Sequence, residues 1–233
     1  TFNTDPPAVI ATNVRSFALA YDTRSTLVPG PTVTSAETLL SSAAATTGTN
    51  DQVVDNKHYF AQFINPTLPA NATSWAITRV QLYVKVAGPA LGFTNIQVQT
   101  VGTGDAPSGT VLDSASLDES TLTTTSTWTQ FNFSKASGIS PATGACIVLS
   151  WVSDAQSASF KGQNSAPAPL LLFTSPDGAA WTTNNNIIQH YVYGTYNTPG
   201  TPVPAYFLTG VRASLLTSTD SGATTRISIH LLN

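Results

Sequence analysis

Charge is scarce in this sequence. Only 9% of its 233 residues are Asp, Glu, Lys or Arg, against roughly a quarter in an ordinary soluble domain. The net charge is −3, and Lys and Arg are scattered singly with no basic stripe. That pattern argues against direct nucleic-acid binding. One cysteine, Cys146, rules out an internal disulfide. It stands in Ala145-Cys146-Ile147-Val148-Leu149-Ser150-Trp151, where it reads as a small core hydrophobe in a buried strand, not as a nucleophile. Methionine is absent, even from position 1, so the chain is expected to begin after a processed leader or a proteolytic cut. The longest apolar runs, such as 145–149 and 169–173, are far shorter than a membrane span. No Gly-x-Ser-x-Gly elbow and no phosphate loop occur.

Thr, Ser, Ala, Asn and Gly stand where charges usually do. Such a surface is neutral and hydroxyl-rich, built from short side chains that lose little rotamer entropy on ordering. The hydrophobic fraction of 41% is enough for a core and argues against disorder. This chemistry suits packing and display better than catalysis.

Along the chain, residues 12–22 alternate Phe17, Leu19 and Tyr21 with Ser16, Ala18 and Ala20, the period-2 mark of a half-buried strand. Val28-Pro29-Gly30-Pro31 reads as a break. Thr34 and Glu37 form a capping-box pattern ahead of an Ala/Leu-rich run, which predicts one short helix at about 35–45. Residues 58–196 then read as strand and turn. Within 77–87, Val80, Leu82, Val84 and Val86 share one face, and Arg79, Gln81, Tyr83 and Lys85 the other. Further strands are predicted at 94–101, 110–117, 127–133, 169–174 and 187–196, and 145–152 is apolar on both faces, as a central, doubly covered strand is. Residues 197–204, rich in proline and with one glycine, read as a stiff linker. Beyond it, 207–217 and 224–232 form a hairpin pattern around Asp220-Ser221-Gly222.

The two ends resemble a known family. Ile10-Ala11-Thr12-Asn13-Val14-Arg15-Ser16-Phe17-Ala18-Leu19-Ala20-Tyr21 resembles the "leu-x-asn-val-x-x-phe-x-val-x-tyr" strand in the globular heads of J-type pseudopilins and W-type minor pilins. Phe207-Leu208-Thr209-Gly210-Val211-Arg212-Ala213-Ser214-Leu215 and Arg226-Ile227-Ser228-Ile229-His230-Leu231-Leu232-Asn233 resemble the C-terminal hairpin of those heads. The resemblance implies that Val14, Phe17, Tyr21, Val211, Leu215, Ile227 and Ile229 build one sheet. The middle of the chain, at 78–85, 104–117 and 128–133, resembles jelly-roll modules of secreted bacterial proteins. Pilins of this kind carry a long hydrophobic N-terminal helix that anchors them in the membrane. It is absent here, so contact with a membrane is expected only through such a helix.

Candidate chemistry is sparse. His58, His190 and His230 are far apart and have no metal-ligand partners at helical or hairpin spacing. Asp113, Asp118 and Glu119 invite comparison with glycoside hydrolysis, which needs two carboxyls facing across a cleft at roughly 5–10 Å. Asp118 and Glu119 are neighbours and point apart in an extended strand. Asp51 and Asp55, beside Asn50 and Asn56, and Asp105 in its Gly-rich loop are candidate calcium ligands, although turn chemistry alone accounts for Asp and Asn there. Trp181, Tyr191 and Tyr193 are candidates for an exposed sugar-stacking platform. Core or edge packing is the competing role for each. Trp128 and Trp151 are expected in the core.

The expected fold is mainly β: a jelly-roll β-sandwich at 52–197, inserted into a small pilin-like antiparallel sheet formed by 1–51 plus 198–233. The expected function is structural and non-catalytic. The chain is expected to be extracellular or on the cell surface, as a subunit or head domain of a type IV pilus-like or type II secretion-like appendage. Its partners would be other filament subunits or copies of itself. No cofactor is implied, with calcium left open. The alternatives are a secreted carbohydrate-binding jelly-roll module, which would bind glycans, and a viral capsid or fibre protein.

Overall fold

In the computed structural model, residues 14–21, 26–44, 49–88, 92–153, 158–164, 170–205 and 208–215 are described. The chain divides into two compact units, one of Thr1–Gly30 with Thr201–Asn233 and one of Pro31–Gly200. The structure is mainly β, with no α-helix among the described residues.

In the smaller unit, β1 (Val14–Tyr21) pairs antiparallel with β16 (Leu208–Leu215) as a two-stranded sheet. The register sets Val14 against Leu215, Phe17 against Ala213, Leu19 against Val211 and Tyr21 against Leu208. Ile227 and Ile229 lie outside the described residues.

The larger unit is β-sandwich-like, with two antiparallel sheets. One has the order β13 (Thr182–Asn184), β12 (Leu172–Ser175), β5 (Tyr59–Ile64), β10 (Ala145–Ser153), β7 (Phe93–Val101), β8 (Pro107–Asp118). The other is built around β6 (Ser74–Val86), a strand of 13 residues. On one side β6 pairs with β9 (Thr127–Asn132). On its other side it pairs first with β15 (His190–Ala205), then with β11 (Ala158–Gln163). Outside these lie β2 (Thr26–Thr34) and β3 (Thr38–Ala43) against β15, and β4 (Thr49–Val54) and β14 (Ile187–Ile188) against β11.

Alternation explains why the sheets stack. Val80, Leu82 and Val84 of β6 are buried and meet Ile96, Val98, Ile147 and Leu149 of the facing sheet in one core cluster. The opposite face of β10 is buried too, because Cys146 and Val148 join Ala61, Phe63 and Phe173 in a second cluster. Strand β10 is therefore covered on both sides, as its unbroken apolar sequence requires. Gln62 ties the sheets together: its side-chain oxygen accepts from the Ile188 amide at 2.9 Å, and its Nε2 donates to the carbonyl of Leu171 at 3.1 Å.

Three expectations from the sequence are corrected. The helix at about 35–45 is not formed, and 38–43 is strand β3 instead, paired with β15. The carboxylate expected to cap it, Glu37, is taken by Thr78 and Arg79. So short a segment, even one rich in Ala and Leu, cannot hold a helix against a sheet edge that offers it partners. Residues 28–31 and 197–204 are not a break and a linker, since both lie within strands, β2 and β15, that pair with each other. Proline suits these places, because β2 ends its row of strands and β15 has run past β6 beyond Asn197. A missing N–H costs least where no neighbouring strand calls for it. Residues 31–51, grouped by sequence with the chain ends, supply β3 and part of β4 to the larger unit.

Candidate functional site: an aromatic and amide face on the β6 sheet

The side of β6 turned away from the core carries Arg79, Gln81, Tyr83 and Lys85, all partly exposed. The register lays their neighbours out as a grid. Trp128 lies opposite Tyr83, Gln130 opposite Gln81 and Asn132 opposite Arg79 on β9. Tyr191 lies beside Gln81, and Tyr193 beside Arg79, on β15. Each of these strands sends its alternate residues inward, so the sheet's period of two delivers all of these side chains to one surface.

The aromatic rings touch. Trp128 lies 5.0 Å from Tyr83 between ring centroids, tilted by 34°, and 4.6 Å from Tyr191, tilted by 49°. Both separations fit the favoured tilted pairings of aromatic rings. Trp128 remains 38% exposed. The Arg79 guanidinium carbon sits 3.8 Å from the Tyr193 ring centroid, close enough for a cation–π contact. Between these groups runs an amide ladder: Gln81 Nε2 donates to Gln130 Oε1 at 3.4 Å, and Gln130 Nε2 donates to Asn132 Oδ1 at 2.9 Å.

Charge at the two ends of the face is paired locally, with one lysine in excess over Asp51. At one end Arg79 Nη2 meets Glu37 Oε2 at 2.8 Å. Hydrogen bonds from Thr78 and Arg79 hold the Glu37 carboxyl below its ordinary range. At the other end Lys85 and Lys161 each reach Asp51 at 2.7 Å. Burial pushes the Asp51 carboxyl up, but the hydrogen bonds and charges of the two lysines outweigh it and hold it low. The middle of the face, from Tyr83 to Gln130, carries no charged residue.

Tyr191 and Tyr193, two of the residues singled out from sequence, lie on this face. Trp181 does not, and packs instead against the second core cluster beside Phe63 and Phe173. Trp128, expected in the core, is corrected to the surface. The sequence carries the signal: in Thr127-Trp128-Thr129-Gln130-Phe131-Asn132-Phe133, Trp128 is in phase with Gln130 and Asn132 and out of phase with the buried Phe131 and Phe133.

The candidate calcium ligands are not brought together. Asp51 is occupied by its two lysines, whose charge opposes a cation there. Asp55 accepts from His58 Nδ1 at 2.8 Å and from the Lys57 amide. Asp105 sits in a single 3₁₀ turn, Thr103–Asp105, where its carbonyl accepts from the Cys146 thiol at 3.4 Å. Among the described residues, no group of three or more His, Cys, Asp and Glu side chains is placed to hold a metal ion.

Asp113, Glu119, Cys146 and His190 sit within the fold. Asp113 accepts from the amides of Ser134 and Lys135, both at 2.7 Å. Buried Glu119 accepts from Thr94 Oγ1 at 2.6 Å. Burial, with the charge of Asp105 adding to it, pushes the Cys146 thiol up to about 12. Fully buried His190 faces the Ile188 carbonyl at 2.7 Å and Ser41 Oγ at 2.9 Å. An open groove of about 500 Å³ lies beside the face, lined by residues 35–40, 67–69 and Tyr196.

Fold and face together define a β-sandwich-like unit that carries an exposed aromatic and amide surface. No family model, curated protein or solved structure matches this chain.

Proposed function

We propose that this chain is a non-catalytic extracellular structural protein, a subunit or head domain of a pilus-like or secretion-like surface filament. The observation that carries the proposal is the pairing of β1 with β16 as a sheet of its own. A pilin-like head into which a jelly-roll module is inserted requires its early strand to meet the first arm of its last hairpin, and Val14–Tyr21 meets Leu208–Leu215. Two further facts support a structural role. The carboxylates of Glu37, Asp51, Asp55, Asp113 and Glu119 are engaged by lysine, arginine, histidine, hydroxyl or backbone groups, and the thiol and one imidazole are buried. Assembly then proceeds by packing neutral Thr/Ser surfaces against other subunits or copies of the chain. Such contacts avoid the cost of several kcal/mol that comes with burying an unpaired charge, and they depend little on salt.

Immuno-electron microscopy with antibodies raised against the chain tests this. Gold on extracellular filaments or at the cell surface is the expected result. Label confined to the cytosol, or to virus particles, would sink the proposal.

A further inference from the structure

We propose that the outer face of the β6 sheet, centred on Tyr83, Trp128, Tyr191, Gln81 and Gln130, is a binding surface for a neutral polysaccharide. The inference is independent of the filament role, which rests on the smaller unit, whereas this face belongs to the larger one. It starts from a side chain in an unexpected place. Trp128 stands in an outward row, 38% exposed, where the neighbouring outward positions carry Gln130 and Asn132. The hydrophobic core gains little from it there. Instead it joins Tyr83 of β6 and Tyr191 of β15 in a three-ring cluster. Rings of this kind offer an apolar surface with a polar rim, the character of Tyr and Trp where an interface is half wet.

The groups around the rings define what fits. The C–H faces of a pyranose need flat apolar area, and its hydroxyls need partners that both donate and accept. Each side-chain amide has two N–H donors and an oxygen with two acceptor sites. The ladder of Gln81, Gln130 and Asn132 uses only part of that capacity, so the rest is available to hydroxyls. Apolar area with a few placed polar groups is the general make-up of a small-ligand site.

Charge selects the neutral class. The central grid has no ionised group, Arg79 is held by Glu37, and Lys85 and Lys161 share Asp51 at the far end. An anionic polymer lying across the rings would meet no ionised group there, only the single charge by which Lys85 and Lys161 exceed Asp51 at the far end. A neutral polyhydroxylated chain matches the surface without disturbing either pairing.

The test is native affinity electrophoresis of the whole chain in gels cast with xyloglucan, galactomannan, laminarin or hydroxyethylcellulose, beside gels with alginate and polygalacturonate. Retardation by at least one neutral polymer is expected. Trp128→Ala should weaken it by about tenfold or more, equivalent to about 1.4 kcal/mol. Gln130→Ala and Trp128→Phe, which change the surface less, should give smaller losses with an unchanged far-ultraviolet circular dichroism spectrum. Trp181→Phe should bind as the parent does. The proposal is overturned by any of four results: no retardation in any neutral gel, retardation only in anionic gels, binding equal in the parent and in Trp128→Ala and Gln130→Ala, or no sugar binding together with an oligomer that Trp128→Ala dissociates in sedimentation. The last result would make the face a contact between copies.

Discussion

Gly144 should be among the least replaceable residues of the larger unit, and a matched glycine isolates the reason. It closes the turn in which its own amide and that of Thr143 point to the Ser140 carbonyl, one residue before β10 begins. Its φ is +74°, in the left-handed region. A Cβ added there would lie 2.5 Å from the Ile64 carbonyl oxygen and 2.8 Å from Phe63 Cε2. Neither neighbour can yield easily, because Ala145 is paired with Ile64 and Cys146 with Phe63 in the ladder joining β10 to β5. Gly138 has nearly the same backbone, φ +71°, but a Cβ added there would have nothing within 4 Å. Gly138→Ala therefore reports the conformational penalty alone, about 1–2 kcal/mol, less a fraction regained from the stiffer unfolded chain. Gly144→Ala adds an overpacking term of about 1–3 kcal/mol. Urea unfolding followed by tryptophan fluorescence should place Gly144→Ala below Gly138→Ala by that difference, with the denaturant slope unchanged in both. If the two variants unfold within about 0.5 kcal/mol of each other, a margin near the limit for minor substitutions, the packing argument is refuted.

Three other perturbations have outcomes set by burial and register. Cys146, buried and raised to about 12, should resist Ellman's reagent in the native protein and react fully once urea unfolds it; fast native labelling would contradict its burial. His190 has its pKa lowered from 6.5 to about 4, because burial outweighs the opposing hydrogen bond to Ile188. The unfolded chain then takes up a proton that the folded chain refuses, so stability should be level above about pH 6.5 and fall by up to about 3 kcal/mol as pH drops toward 4. The urea midpoint should track that fall, and a His190→Gln variant that keeps the full slope would show that other groups cause it. In a Cys146→Ser background, cysteines at Ala18 and Arg212, which face each other in the β1–β16 register, should oxidise to a disulfide faster than cysteines at Ala18 and Gly210. Equal rates would reject the register.

The sandwich is legible in the sequence wherever alternation runs uninterrupted. In β6 the phase of Val80, Leu82 and Val84 foretells the core face, and the same phase puts Tyr83 among polar residues on the outside. Strand β10 is legible from the opposite pattern, an apolar run with no polar face. The failures have a common physical origin: local chemistry is outbid by partners distant in sequence. Glu37 looks like a helix cap, yet its carboxylate is satisfied across the sheet by Thr78 and Arg79. The prolines near 29–31 and 199–204 look like punctuation, yet each stretch lies within one of two paired strands. At the candidate site Tyr191 is legible as an aromatic in a polar context, whereas Trp128 is misplaced when its neighbours' hydrophobicity is counted and their phase ignored. Trp181 errs the other way, since a loop position says nothing about the cluster that lies beneath it.

The central position of β6 also sets a timetable for folding. Its partners are β9, β11 and β15, at Thr127–Asn132, Ala158–Gln163 and His190–Ala205, so its ladder closes stepwise and finishes only when nearly the whole chain is present. Such distant pairings make folding slow. During synthesis at about 5–20 residues per second, β6 waits on the order of ten seconds for its last neighbour. Throughout that interval the Ser74–Leu82 edge of β6 lacks its partner strand, and a chaperone that holds nascent β6 should raise the yield of this protein more than one that acts on the finished chain.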